Sequence, residues 1–168
     1  MVLFGRGGLM DKKMRLFLAA LFIAYVALIL HETLLSRPPI FSGAYELNLF
    51  ASYHRAMRAP SHLARIEVRN LILNVAMFVP MGILLPVVFP RLAKFYITLP
   101  IALAATIAIE TAQFITHRGV FATEDILHNF VGATIGFLLF KGLFPLCSSL
   151  FIPDNDDKIL PKKQDDVE

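Results

Sequence analysis

The sequence predicts an all-α, polytopic membrane helix bundle with four transmembrane helices. The chain is 57% hydrophobic and 17% charged, whereas soluble domains are about half apolar and about a quarter charged. Four apolar stretches are long enough to cross roughly 30 Å of hydrocarbon as helices of about 20 residues. They are residues 16–35, 71–89, 95–115 and 126–144. A length of 168 residues allows one domain, and a bundle of this size needs no separate soluble core.

The first apolar stretch follows a basic segment, so a cleaved signal peptide is an alternative to a membrane anchor. Its uninterrupted run, residues 16–30, already equals the upper length of the apolar part of a signal peptide. The small residues that could be cleaved, at positions 42–44, lie far downstream. We therefore expect a retained helix that follows a basic cytoplasmic N-terminus at residues 1–15, and a membrane domain at residues 16–146.

The segments between the apolar stretches predict how the helices are connected. Residues 36–70 form a polar external loop with three prolines and five arginines, and we expect it to hold a short interfacial helix rather than a domain. Residues 90–94 allow only a turn, which makes the second and third helices an antiparallel hairpin. The charged residues 147–168 lack apolar periodicity and are predicted to be a disordered cytoplasmic tail.

The distribution of lysine and arginine predicts the orientation in the membrane. If the N-terminus is inside, ten of the 16 basic residues, including every lysine, lie on the cytoplasmic side. We therefore expect a multi-pass protein of the bacterial cytoplasmic (inner) membrane with both termini in the cytoplasm. The basic residues lie in short blocks rather than along one stripe, which argues against nucleic acid as a partner.

Polar residues in three of the apolar stretches are predicted to share one layer. Because the helices alternate in direction, the start of the second, the end of the third and the start of the fourth lie at one membrane face. At about 1.5 Å of rise per residue, Asn74, Glu110 and Asn129 each lie within roughly 10 Å of that face. The expected ligand-binding or polar-layer residues are Asn70, Asn74, Glu110, Gln113, Arg118, Asp125 and Asn129.

A purely structural role is the alternative for these side chains. Amide side chains often join membrane helices at about 0.6 kcal/mol per pair. Glu110 could likewise be protonated, or hydrogen-bonded to Asn74 or Asn129. A carboxylate embedded in the membrane is nevertheless a functional candidate, because it costs free energy to bury there.

Prolines and glycines in the second and fourth helices predict how these helices bend and pack. Pro80 and Pro86 each remove a backbone donor on either side of Gly82, which predicts a bend and exposed carbonyl acceptors. Gly132 and Gly136 share a stripe with the polar residues of the fourth helix, within an arc of about 60°. Another helix is therefore expected to approach closely beneath the polar layer.

Three segments, taken in order, resemble the VanZ-like family. They are NLILNVAMFVPMGILLP at 70–86, IETAQF at 109–114 with the arginine that follows it, and EDILHNFVGATIG at 124–136. The resemblance covers residues 47 to 140 or so, and its characteristic polar positions fall on Asn70, Asn74, Pro80, Gly82, Glu110, Gln113, Arg118, Asp125, Asn129 and Gly132. Family members commonly carry an Asp-rich stretch after the arginine. Here it is reduced, with an extra residue near Gly119, which disfavours a metal site.

The resemblance implies a cell-envelope protein, because the founding member of the family is associated with low-level teicoplanin resistance. We expect the outward-facing layer to bind a lipid-linked or amphipathic ligand and to reduce susceptibility to glycopeptide-type antibiotics, with no catalytic residue, metal or cofactor. The expected partners are membrane lipids, a lipid-linked envelope precursor and a second copy of the chain in a homodimer. The alternatives are an intramembrane enzyme or metal-assisted hydrolase using Glu110, Asp125 and His128, and a small dimeric transporter.

Overall fold

A computed structural model describes residues 12–40 and 44–151. The described part is mostly helical and contains four helices that are long and apolar enough to cross a membrane, which confirms the predicted all-α bundle. The helices are α1 (Lys12–Leu30), α2 (Ala51–Arg58), α3 (Ser61–Val88), α4 (Phe95–Ile115) and α5 (Thr123–Phe151). A π-helical turn (His31–Leu35), a 3-10 turn (Pro90–Leu92) and two short strands, β1 (Tyr45–Glu46) and β2 (Phe121–Ala122), connect them.

Helix α3 begins well before the apolar stretch from which it was predicted. It starts at Ser61, directly after Pro60, and continues without a break through both internal prolines to Val88. Its first turns are polar and pack against α2, and an ion pair of 3.2 Å between Arg55 Nε and Glu67 Oε1 joins the two helices. This tertiary contact extends the helix into a segment whose hydropathy alone predicts a loop.

The other helix ends lie close to their predicted positions or beyond them. Helix α4 covers the whole of the third predicted stretch, residues 95–115. Helix α5 starts a few residues early and continues to Phe151, into the segment predicted to be a disordered tail. The rest of that tail, residues 152–168, and the N-terminal residues 1–11 lie outside the described part of the chain.

The predicted external loop has more structure than one interfacial helix. Besides α2, it contributes β1, which pairs in parallel with β2 of the α4–α5 connection and places Tyr45 opposite Phe121. The Ile40 N–H also donates to the His117 carbonyl at 2.6 Å. These backbone bonds fix the loop to the α4–α5 connection, so the two loops form one layer at this end of the bundle.

The helices differ in how much of their surface is buried within the protein. Helices α3 and α5 make the most extensive contact in the fold. The main core lies between them and α4, and its buried residues are Ile29, Phe78, Met81, Leu85, Ala102, Ile109 and Ala133. Helix α1 is peripheral, since only Ile29 is buried among its described side chains. Its exposed apolar residues are those expected to face lipid.

Candidate ligand-binding site at the polar end of the bundle

One end of the bundle, here called the polar end, carries the side chains singled out by the sequence. It consists of the end of α1, the start of α3, the end of α4, the start of α5 and the two loops between them. Asn74 Nδ2 donates to Asp125 Oδ1 at 2.7 Å and so joins α3 to α5. Asn129 Nδ2 donates to the Thr106 hydroxyl at 2.8 Å and joins α5 to α4. Two amide side chains therefore bridge three helices in the layer predicted for them.

Glu110 is buried, with 2% of its surface exposed, yet neither of the two predicted amides is its partner. Its Oε2 accepts a hydrogen bond of 3.0 Å from the Ala122 backbone N–H in β2. The carboxylate thus holds the strand that pairs with the external loop. A hydrogen bond from a backbone N–H to a charged group is among the stronger kinds in proteins, so this contact links helix α4 to the loop layer directly.

Gln113 and Arg118 both bind backbone carbonyls at the end of α1. Gln113 Nε2 donates to the Thr33 carbonyl at 3.2 Å. One terminal nitrogen of Arg118 lies 3.2, 3.1 and 3.0 Å from the carbonyls of Leu34, Leu35 and Arg37. The last carbonyls of a helix have no partner within the helix, and in hydrocarbon they must find one elsewhere. Arg118 therefore acts here as a cap on the first membrane helix.

Glu124 is a buried residue whose role the sequence did not predict. It is 3% exposed, and its Oε2 accepts a hydrogen bond of 2.7 Å from the Ser52 backbone N–H at the start of α2. No side chain of α2 itself caps this helix, because its N-cap position is Phe50. A carboxylate at a helix N-terminus stabilises it both as an acceptor and through the helix dipole. The adjacent acids Glu124 and Asp125 look alike in sequence, and only their tertiary partners distinguish them.

Arg37 is a second residue whose role the sequence did not predict. It is half-buried and close enough to interact electrostatically with both Glu110 and Asp125. His128, one turn along α5, interacts in the same way with Asp125. The position of Arg37 two residues after the predicted first helix gives no sign of this, because the contact that holds its backbone, from Arg118 to the Arg37 carbonyl, is tertiary. The polar end thus places a cation within electrostatic range of two carboxylates.

Several buried polar atoms at this end have no hydrogen-bond partner in the described part of the protein. They are Gln113 Oε1, Asn129 Oδ1 and His128 Nδ1. Two of the three are carbonyl oxygens of amides whose nitrogens are already used, so they can only accept. An unpartnered buried acceptor costs about 1–3 kcal/mol, and such atoms usually bind water or a ligand. Buried acceptors at the polar end therefore outnumber the donors that reach them.

The remaining predicted residues lie outside this hydrogen-bonded group. Asn70 is exposed on α3, one turn before Asn74. Directly beneath the layer, α3 and α5 pack through Gly82, Gly132 and Gly136, here called the glycine interface. A Cβ atom added at Gly132 or Gly136 would overlap the carbonyl oxygen of Val75 or Val79, respectively, and one added at Gly82 would overlap that of Ala133.

The prolines of α3 lie on the inner side of the bundle. Pro86 is buried and Pro80 is half-buried, and α3 remains helical through both. The carbonyl of Ala76 has no donor four residues later in the helix, because Pro80 has no backbone N–H. Beside it, the Met77 carbonyl accepts a hydrogen bond of 2.8 Å from the Tyr25 hydroxyl of α1. Backbone near a proline in a membrane helix is thus bound by a neighbouring helix.

The geometry also bears on the metal-assisted alternative. Among the described residues, no group of three His, Cys, Asp or Glu side chains is placed so that it could hold a metal ion. Asp125 is committed to Asn74, Glu110 to the Ala122 amide and Glu124 to the Ser52 amide. The carboxylates at this end accept hydrogen bonds from separate partners and do not converge on one point.

Comparison with protein-family models gives one match, to the family described as VanZ/LLP1, over residues 16–146. Neither a curated protein nor a solved structure matches the chain.

Proposed function

The chain belongs to the VanZ/LLP1 family, and we propose that it is a cell-envelope protein whose polar end faces outward and binds the headgroup of a lipid-linked or amphipathic molecule. In this proposal, binding lowers susceptibility to glycopeptide-type antibiotics. The family match and the four apolar helices support a multi-pass membrane protein.

The surplus of buried acceptors at the polar end is the observation that supports this proposal. Gln113 Oε1 and Asn129 Oδ1 have no donor among the described residues, and two carboxylates lie in the same layer. Such a set of acceptors fits a headgroup that donates hydrogen bonds through hydroxyl, amide or ammonium groups. Water in the free protein would occupy the same positions.

Arg37 adds a second requirement on the ligand. It is the cation that interacts with both Glu110 and Asp125, and an arginine binds phosphate well through its planar set of donors. A headgroup that carries both donor groups and a phosphate would match the carboxylates and the arginine together. Lipid-linked envelope precursors have this chemistry, whereas an uncharged lipid does not.

The test is the antibiotic susceptibility of a deletion strain that expresses variants of the protein. We expect Glu110→Gln and Asp125→Asn each to remove most of the protection against teicoplanin that the unchanged protein restores. Both replacements keep the size of the side chain but exchange an acceptor oxygen for a donor, so they reverse the hydrogen-bonding preference of the layer. Protein levels in membranes should be measured in parallel.

The matched control is Glu32→Gln, the same chemical change at an exposed carboxylate of the same end. The Glu32→Gln variant should protect the deletion strain against teicoplanin as well as the unchanged protein does. If the deletion strain is sensitive and Glu110→Gln protects fully at normal protein level, the polar end does not act as proposed.

A further inference from the structure

The start of α3 carries a groove that is separate from the polar layer. Its volume is about 500 Å³, and it is lined by Ala64, Arg65, Val68, Arg69, Ile72 and Leu73. All of these residues lie on one side of a single helix, in two adjacent rows (64, 68, 72 and 65, 69, 73) whose members are about one turn apart. The exposed apolar members, Val68, Ile72 and Leu73, lead from the groove into the apolar part of the span. The lining of the groove is mostly apolar, and its two arginines lie toward the start of α3.

The two arginines of the groove lie one helical turn apart on the same face of α3. Both side chains are exposed, and neither takes part in an ion pair with the described residues. Arg65 Nε donates to the Ser61 carbonyl at 3.2 Å, which uses one of several N–H donors of the guanidinium. Donors of both arginines remain for an external partner.

The nearest acidic residues do not neutralise this pair. Glu67 lies between the two arginines in sequence, but its carboxylate pairs with Arg55 at 3.2 Å. Glu46 pairs with the same arginine at 3.6 Å. Arg55 thus forms ion pairs with both Glu46 and Glu67. The positive charges of Arg65 and Arg69, at the edge of the apolar span, are not neutralised by these two carboxylates.

We propose that this groove binds an anionic phospholipid, with its phosphate between Arg65 and Arg69 and an acyl chain along Val68, Ile72 and Leu73. The charge of the arginines complements the phosphate, and arginine can bind it through two parallel hydrogen bonds. The apolar lining of the groove receives the chain. This site shares no residue with the proposed ligand site at Glu110 and Asp125 and does not depend on it.

The experiment measures which lipids the full chain retains. The protein is reconstituted into nanodiscs of equal parts phosphatidylglycerol and phosphatidylcholine, transferred to detergent and analysed by native mass spectrometry. We expect one retained phosphatidylglycerol in preference to phosphatidylcholine. The double variant R65Q/R69Q should reduce this retention by at least about ten-fold, because it removes the charge-assisted hydrogen bonds to the phosphate.

Two further variants distinguish a site from general attraction. R65K/R69K keeps both charges and should keep most of the retention, which also shows that α3 tolerates change at these positions. Arg91→Gln removes an exposed arginine at the opposite end of the bundle and should retain lipid like the unchanged protein. Equal retention of the two lipids, or equal loss of phosphatidylglycerol in Arg91→Gln and R65Q/R69Q, would mean that the bound lipid is only annular and would overturn the proposal.

Discussion

The glycine interface and the polar end are neighbours in the same bundle, yet different interactions hold them together. In the glycine interface, α3 and α5 approach until the backbone of one helix contacts the backbone of the other. At the polar end the same helices are joined by individual hydrogen bonds between side chains, such as the one that Asn74 donates to Asp125. Lipid is as apolar as leucine, so close packing replaces hydrophobic burial as the main attraction between membrane helices. The first region therefore supplies stability, and the second contains the unpartnered groups that can bind a ligand.

The sharpest test of this contrast replaces glycine by alanine inside and outside the interface. Gly132→Ala and Gly136→Ala each place a methyl group where a carbonyl oxygen of α3 lies. Overpacking of this kind costs about 1–3 kcal/mol or more, so we expect a clearly lower unfolding temperature in detergent. The unfolding temperature is measured by heating samples and monitoring the remaining folded protein by size-exclusion chromatography.

Gly142→Ala is the matched control, because it lies on the same helix with nothing within 4 Å of an added Cβ. Alanine favours helix over glycine by about 1 kcal/mol, so this variant should be unchanged or slightly more stable. The two interface substitutions should lower stability, whereas Gly142→Ala should not. Equal unfolding temperatures for all three variants would mean that the glycine interface does not stabilise the bundle.

The four spans could be predicted from the sequence because apolar length is a local pattern, and the glycine spacing is local in the same way. Apolar length sets the four membrane helices, and the spacing of Gly132 and Gly136 marks a packing face whatever the partner helix is. Antiparallel alternation likewise predicts that Asn74, Glu110 and Asn129 lie near the same membrane face. These features follow from helix geometry alone and need no knowledge of side-chain contacts.

The partners of the polar residues could not be predicted in the same way. Glu110, Arg118 and Glu124 bind backbone groups of distant segments, namely β2, the end of α1 and the start of α2. Every residue offers the same backbone groups, so no residue type in the sequence identifies such a partner. The polar start of α3 was missed for a related reason, since the contact between Arg55 and Glu67 that supports it is tertiary.

An intermediate effect is expected for Arg118→Ala, which removes the cap on α1. Hydrogen bonds to a charged group contribute about 1.5–3 kcal/mol, and here one guanidinium nitrogen serves the carbonyls of Leu34, Leu35 and Arg37. We expect faster hydrogen exchange in residues 31–40, with little change in α5. Hydrogen exchange followed by mass spectrometry resolves both segments.

The comparison variant for this cap is Arg91→Ala, an exposed arginine in the turn at the other end of the bundle. It loses the same charge without uncapping a helix, so exchange in residues 31–40 should stay as in the unchanged protein. If residues 31–40 exchange hydrogen at the same rate in the Arg118→Ala and Arg91→Ala variants, Arg118 is not a structural cap. Arg118 would then be available to a ligand.

The smallest effect is expected for Thr106→Val, which tests a single bond between helices at the boundary of the two regions. The Thr106 hydroxyl accepts from Asn129 Nδ2, and both residues are buried. Such bonds average about 0.6 kcal/mol in membrane proteins, so a double-mutant cycle with Asn129→Ala should give a coupling free energy of that order. Thr111→Val is the control, because the Thr111 hydroxyl bonds only the Ile107 carbonyl of its own helix. If the coupling between Thr106 and Asn129 is as small as that between Thr111 and Asn129, the hydrogen bond between Thr106 and Asn129 does not contribute to helix association.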